Sequence, residues 1–188
     1  MSPIFEESAF DFISHSVEQT QRLGAKLGVL LQAGDVICLS GELGAGKTQM
    51  TVGIAAGWGA REPVNSPTFV MVHPHTRRAD QARLYHIDCY RMRGVEDLHT
   101  FGWDDMLDEG GTLVIEWPER IEAALPADRL WITLSHLDDE GAERRRYLYF
   151  KAAGERHKAL LDAFRRRAFG AMPGVTDRPA EPQRQEEA

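Results

Sequence analysis

The segment Gly41-Glu42-Leu43-Gly44-Ala45-Gly46-Lys47-Thr48 constrains this chain more than any other stretch. It matches G-x-x-x-x-G-K-[ST] at every fixed position. Gly41, Gly44 and Gly46 free the backbone to take positive φ, so that N–H groups, that of Ala45 included, approach phosphate oxygens closely. Those N–H groups form a concavity for an anion, and the following helix adds the positive end of its dipole. Lys47 is placed to reach the β and γ phosphates, and the Thr48 hydroxyl to ligate Mg2+. The motif requires a buried strand before it and a helix after it. Val36-Ile37-Cys38-Leu39 is a continuous apolar run of strand length, and residues from about Lys47 to Trp58 read as a helix. Binding of a nucleoside triphosphate is the expectation that follows.

The rest of the chain fits one domain around that unit. Ser16-Val17-Glu18-Gln19 is a capping box, opening a helix expected to run to about Gln32. Thr68–His73, Leu84–Cys89 and Leu113-Val114-Ile115 read as strands. Arg129–Leu137 and Arg145–Ala152 read as a late antiparallel pair, and Glu155–Phe169 as a closing helix. Strands and helices alternate along the chain, so the class is α/β. The expected architecture is a single three-layer domain over residues 1–168, with a mixed, mostly parallel sheet. Residues 170–188 hold three of the nine prolines and no aromatic side chain, so 169–188 is expected to be a disordered tail.

Composition narrows the functional classes. No apolar run approaches the roughly eighteen residues of a membrane-spanning helix. The N-terminus, Met1-Ser2-Pro3-Ile4-Phe5-Glu6-Glu7, has no basic-then-apolar pattern of a secretory signal. The two cysteines, Cys38 and Cys89, make neither a disulfide framework nor a zinc pattern, and a cytoplasmic setting is expected. Net charge is −7, which argues against a dedicated nucleic-acid binder. Basic residues are concentrated at 144–169, which reads either as a solvated helix face or as room for a local contact with RNA or an acidic partner.

Phosphoryl chemistry also needs a carboxylate near the metal and a group that positions the attacking water. Ligands of open α/β sheets sit at the carboxyl ends of the strands. Two acidic residues end apolar strands: Asp88 and Glu116. Alternation along a strand puts His86, Asp88 and Tyr90 on one face. His86 with Asp88 reads equally as part of a site or as a structural hydrogen-bonded pair. Ser66-Pro67-Thr68-Phe69 reads either as a proline turn opening a strand or as a loop carrying a hydroxyl toward the γ-phosphate. Trp117, next to Glu116, either covers the site or packs. His73 and His75 alternate, but supply too few ligands for zinc.

Four segments in this order resemble one family: Gly41–Thr48, Ser66-Pro67-Thr68-Phe69, His86-Ile87-Asp88-Cys89-Tyr90-Arg91 and Glu116-Trp117-Pro118-Glu119. The chain is similar over about residues 5–155 to the bacterial TsaE type, the ATPase component of tRNA threonylcarbamoyladenosine biosynthesis. The resemblance implies a small P-loop fold, ATP and Mg2+ as cofactors, and weak ATPase activity. It implies TsaD-type synthase and TsaB-type companion subunits as partners. By motif match, Thr48 and Glu116 would hold Mg2+, Asp88 would act at the γ-phosphate end, Thr68 would sit on a switch-like loop, and Ser16 would fall near nucleotide. Lys47, Asp88 and Glu116 are the expected catalytic set, with Arg91 as a possible arginine finger in cis. Glu42 departs from the family's usual aspartate, and Gln49-Met50 follow Thr48 where a second hydroxyl is common.

Two other classes fit a phosphate loop. A small-molecule or nucleoside kinase would need an acceptor pocket and an arginine-rich lid, but Arg144-Arg145-Arg146 leads into a strand. A non-catalytic nucleotide-gated module would not need both Asp88 and Glu116.

Overall fold

The computed structural model describes residues 8–64, 71–77, 79–137 and 145–170. Seven strands form one sheet: β1 (Ser8–Ser14), β2 (Val36–Ser40), β3 (Val72–Thr76), β4 (Arg83–Asp88), β5 (Thr112–Glu116), β6 (Arg129–Leu137) and β7 (Arg145–Ala153). Their spatial order is β1-β7-β6-β2-β5-β4-β3. The centre β6-β2-β5-β4 is parallel, while β3 and the β7-β1 pair add on antiparallel at the two margins. The expected late hairpin pair is present, in register from Arg129 opposite Ala153 to Leu137 opposite Arg145.

Among the described residues, four α-helices complete the layers: α1 (Val17–Gly28), α2 (Lys47–Trp58), α3 (Trp103–Asp108) and α4 (Glu155–Phe169). One core gathers Ile37, Leu39, Val114, Ile132 and Phe150 of the sheet with Leu27 of α1, Ile54 of α2 and Phe164 of α4. The opposite face, with Cys38, Ile87 and Ile115, packs on Trp103 and Met106 of α3 and on Leu98 of the 3₁₀ turn Val95–Phe101. Strands covered on both faces are apolar at consecutive positions, which is why Val36–Leu39 and Leu113–Ile115 lack alternation.

Ser16 caps α1 as the capping box requires, its Oγ accepting from the Gln19 N–H at 3.1 Å. The helix stops at Gly28 rather than near Gln32, because the chain closes into a turn: Leu30 N–H bonds to the Leu27 carbonyl and Leu31 N–H to that of Gly28. Asp104, Asp105 and Asp108 are exposed on α3. The closing helix ends at Phe169, one residue beyond the expected domain boundary. Its ring meets Phe10 and Phe12 at 5.2 Å, so it belongs to the folded unit. The strand expected at Thr68–His73 is described only from Val72 onward. Thr68, like Arg144 and the segment 171–188, lies outside the described residues.

Candidate functional site

The phosphate loop leaves the carboxyl end of β2 and enters α2. Gly41, Gly44 and Gly46 all have positive φ, at 133°, 78° and 106°. Gly41 has a second constraint: a Cβ there would lie 2.0 Å from the Leu134 carbonyl oxygen of β6. The glycine is required both by the backbone and by the neighbouring strand. Gly46 is the N-cap of α2, so the unsatisfied N–H groups of the first helical turn face the loop's concavity.

Lys47 is 4% exposed, and its Nζ donates to the carbonyls of Gly41 at 2.6 Å and Glu42 at 2.8 Å. The ammonium sits 3.7 Å from the centre of the Trp117 ring. Burial pushes the Lys47 pKa below its ordinary value, and the attraction of Glu116, Glu119, Asp88 and Glu42 partly offsets that. Trp117 reaches this position through a left-handed backbone, φ 59°, immediately after β5. Its N–H donates to the Leu39 carbonyl at 3.1 Å, and Pro118 starts the 3₁₀ turn that follows. Both expectations for Trp117 are met: its ring lies over Lys47 on the cleft wall and also packs against the core that holds Cys38, Ile87 and Ile115.

Adjacent parallel strands bring the carboxylates alongside, with Asp88 opposite Glu116 in register. Glu116, 2% exposed, is the hub. Its Oε2 accepts from the Thr48 hydroxyl at 3.0 Å, and its Oε1 accepts from His86 Nε2 at 2.8 Å. The Thr51 hydroxyl lies 3.2 Å from both Oε1 and the Lys47 carbonyl. Asp88 Oδ1 accepts from the Tyr90 N–H at 2.9 Å, and the Tyr90 ring lies 5.0 Å from that of Trp117. His86 thus bonds to the Glu116 carboxylate.

Lys47, Thr48, Asp88, Glu116 and Trp117 line one cleft of about 300 Å³, open to solvent. Ser16 and Arg91 are not among its lining residues, and Ser16 acts as a helix cap. A different arginine reaches the loop: Arg146 of β7, whose Nη2 donates to the Gly44 carbonyl at 3.4 Å. Neither Arg146 nor Thr51 stands out in the sequence as a site residue. Thr51 does carry a signal, since it lies one helical turn after Thr48 on the same face. Arg146 is marked in the sequence only as part of a basic run, and the β6-β7 register is what brings it back over the loop.

A family model described as "Threonylcarbamoyl adenosine biosynthesis protein TsaE" matches residues 14–147. The chain belongs to the TsaE family. The Streptomyces coelicolor TsaE protein is 38% identical over 137 residues, covering 72% of this chain and 92% of that one. The Bacillus subtilis TsaE protein is 34% identical over 149 residues, covering 79% and 89%. The crystal structure of Bacillus subtilis YdiB superposes with a TM-score of 0.69 at 28% identity, covering 86% of this chain and 97% of that one. The TsaE match therefore extends from the end of β1 through the phosphate loop and both carboxylates into β7. Among the described residues no helix is long and apolar enough to cross a membrane.

Proposed function

We propose that this chain binds ATP with Mg2+, hydrolyses it slowly, and serves the threonylcarbamoyl transferase complex in threonylcarbamoyladenosine modification of tRNA. The observation that carries the reading is the meeting of Thr48 and Glu116 at 3.0 Å beside a desolvated Lys47, at the mouth of a phosphate loop in a TsaE-family chain. A hydroxyl and a carboxylate are the hard oxygen donors that Mg2+ takes from protein while it keeps phosphate and water for its other positions. When bound, Mg2+ supplies charge neutralisation at the β and γ oxygens.

The chain's own residues do the rest. The loop's N–H groups and the start of α2 receive the phosphates. Lys47 already carries much of its desolvation in the folded state, so its charge acts on phosphate in a water-poor setting, where it is worth more. Asp88, a buried carboxylate on the cleft wall, is the group we assign to orienting water at the γ-phosphate end. Ser16, the cap of α1, and Thr68, which lies outside the described residues, remain proposed nucleotide contacts. TsaD-type and TsaB-type subunits are the proposed partners, with hydrolysis resetting their complex between turnovers and any tRNA contact weak or indirect. Cys38 and Cys89 are both free and buried, which suits the cytoplasm.

Equilibrium binding of a fluorescent ATP analogue, followed by steady-state phosphate release, tests the reading. Lys47→Ala should abolish binding. Glu116→Ala and Asp88→Ala should retain binding within about tenfold and lose about a hundredfold or more in turnover, the scale of a lost electrostatic group. The partner subunits should raise the basal rate. Wild-type turnover equal to that of Lys47→Ala would overturn the ATPase reading.

A further inference from the structure

The two oxygens of Glu116 do different things. Oε2 meets Thr48, which lines the cleft with Glu116. Oε1 takes His86 Nε2 at 2.8 Å, from a ring with no solvent exposure. Thr51 also reaches Oε1, but its single proton is shared with the Lys47 carbonyl at the same 3.2 Å. His86 is therefore the dependable donor to Oε1. A carboxylate accepts, so the ring nitrogen facing it, Nε2, carries a proton. Nδ1 is buried and has no hydrogen-bond partner among the described residues. A buried ring nitrogen without a partner leaves its desolvation uncompensated. The sequence retains an imidazole here although only its far nitrogen is used.

We infer that His86 is a positioning residue for the metal site: it holds Glu116 by Oε1 so that Oε2 alone is presented beside Thr48. The inference rests on the reading of Thr48 and Glu116 as the residues that hold Mg2+. The physical reason is the general one for outer partners of a ligating carboxylate. A donor that fixes one oxygen removes the rotational freedom that metal binding would otherwise have to freeze out, and its loss costs about 10–100-fold in metal affinity.

Substitution can separate this role from packing. Glutamine places its amide nitrogen about where His86 Nε2 lies, whereas asparagine reaches only to the position of Nδ1. Methionine has the length of glutamine and no donor. Binding of a fluorescent, non-hydrolysable ATP analogue is measured in EDTA and across a Mg2+ titration. In EDTA, wild type, His86→Gln, His86→Asn and His86→Met should bind within about twofold of one another. The Mg2+ midpoint should rise about 10–100-fold in His86→Asn and His86→Met, and stay within about threefold of wild type in His86→Gln. On the unmodified chain, long-range ¹H–¹⁵N spectra should show His86 protonated at Nε2, with that signal moving when Mg2+ joins the analogue. An unmoved midpoint in the donor-less variants, an equal shift in all three, or a wild-type ring with no proton on Nε2 overturns the role of His86. A wild type whose analogue affinity is the same with and without Mg2+ overturns instead the metal reading on which it rests.

Discussion

At the scale of single residues, the site depends on groups held where they are uncomfortable. Trp117 adopts a left-handed backbone that costs a non-glycine residue about 1–3 kcal/mol, and in return its ring covers Lys47. Away from the cleft, His75 is also held at a cost. It is 3% exposed, its Nε2 has no hydrogen-bond partner among the described residues, and its ring lies 4.5 Å from that of His73. Burial, with the nearby His73 and His86, pushes its pKa down from 6.5 to about 4. The unfolded chain therefore binds a proton at His75 between about pH 6.5 and 4 that the folded chain refuses, and stability falls as pH drops through that window. Urea midpoints measured from pH 7 to 4 should decline in wild type and decline less steeply in His75→Phe. Lys47, Thr48, Asp88 and Glu116 were legible in the sequence, because motif spacing and strand ends mark them. The bond from His86 to Glu116 was not, since alternation gives the face of a strand but not which neighbour across the sheet a side chain meets.

At the scale of elements, α1 and α2 approach more closely than ordinary side chains permit. A Cβ at Gly28 would lie 2.0 Å from the Ile54 carbonyl oxygen, one at Gly53 2.1 Å from that of Gln21, and one at Gly57 2.0 Å from that of Ala25. Gly24 completes the seam, with the Met50 carbonyl oxygen 2.6 Å from its would-be Cβ. Glycine is a poor helix former, so four of them in two helices are explained by the backbone contact rather than by propensity. Gly28→Ala or Gly57→Ala should destabilise the fold by about 1–3 kcal/mol, read as a lower urea midpoint with little change in slope. The four-residue spacing of Gly24 with Gly28 and of Gly53 with Gly57 is visible in the sequence, and it is the trace of this seam. The tether of α4 is a different kind of contact. Arg156 makes a two-pronged bond to the buried Asp35, at 2.8 and 2.6 Å, while His157 Nε2 accepts from the Val36 N–H at 3.0 Å. The other ring nitrogen bonds Asp128 at 2.5 Å. Burial raises the Asp128 pKa, but hydrogen bonds from His157 and Arg156 outweigh it, and the net shift is downward. The stability this gives is present above the ordinary carboxylate range and lost as pH falls through the depressed folded value. The difference in urea midpoint between wild type and Asp128→Asn at pH 7 should therefore shrink on acidification below about pH 4.

For the whole molecule, the sheet order places the phosphate loop between two neighbours with separate contributions. On one side β5 and β4 bring Glu116 and Asp88. On the other, β6 and β7 press Leu134 against Gly41 and carry Arg146 to Gly44. Nucleotide bound between them should stabilise the native state as a unit. At a hundredfold excess over its dissociation constant, MgATP should add about 2.7 kcal/mol and raise the thermal midpoint of wild type, with no rise in Lys47→Ala.

The sequence by itself determined the strand–loop–helix unit, the α/β class and the identities of the loop lysine, hydroxyl and carboxylates, because each is fixed by local spacing and by backbone preferences that act within a few residues. It also placed β6, β7, α2 and α4 to within one residue. The tertiary structure alone decided that β1 joins the sheet through β7. It also decided that Glu116 receives both Thr48 and His86. Those outcomes depend on contacts between residues tens of positions apart, whose geometry is set by sheet register and helix packing and leaves no local pattern in the chain.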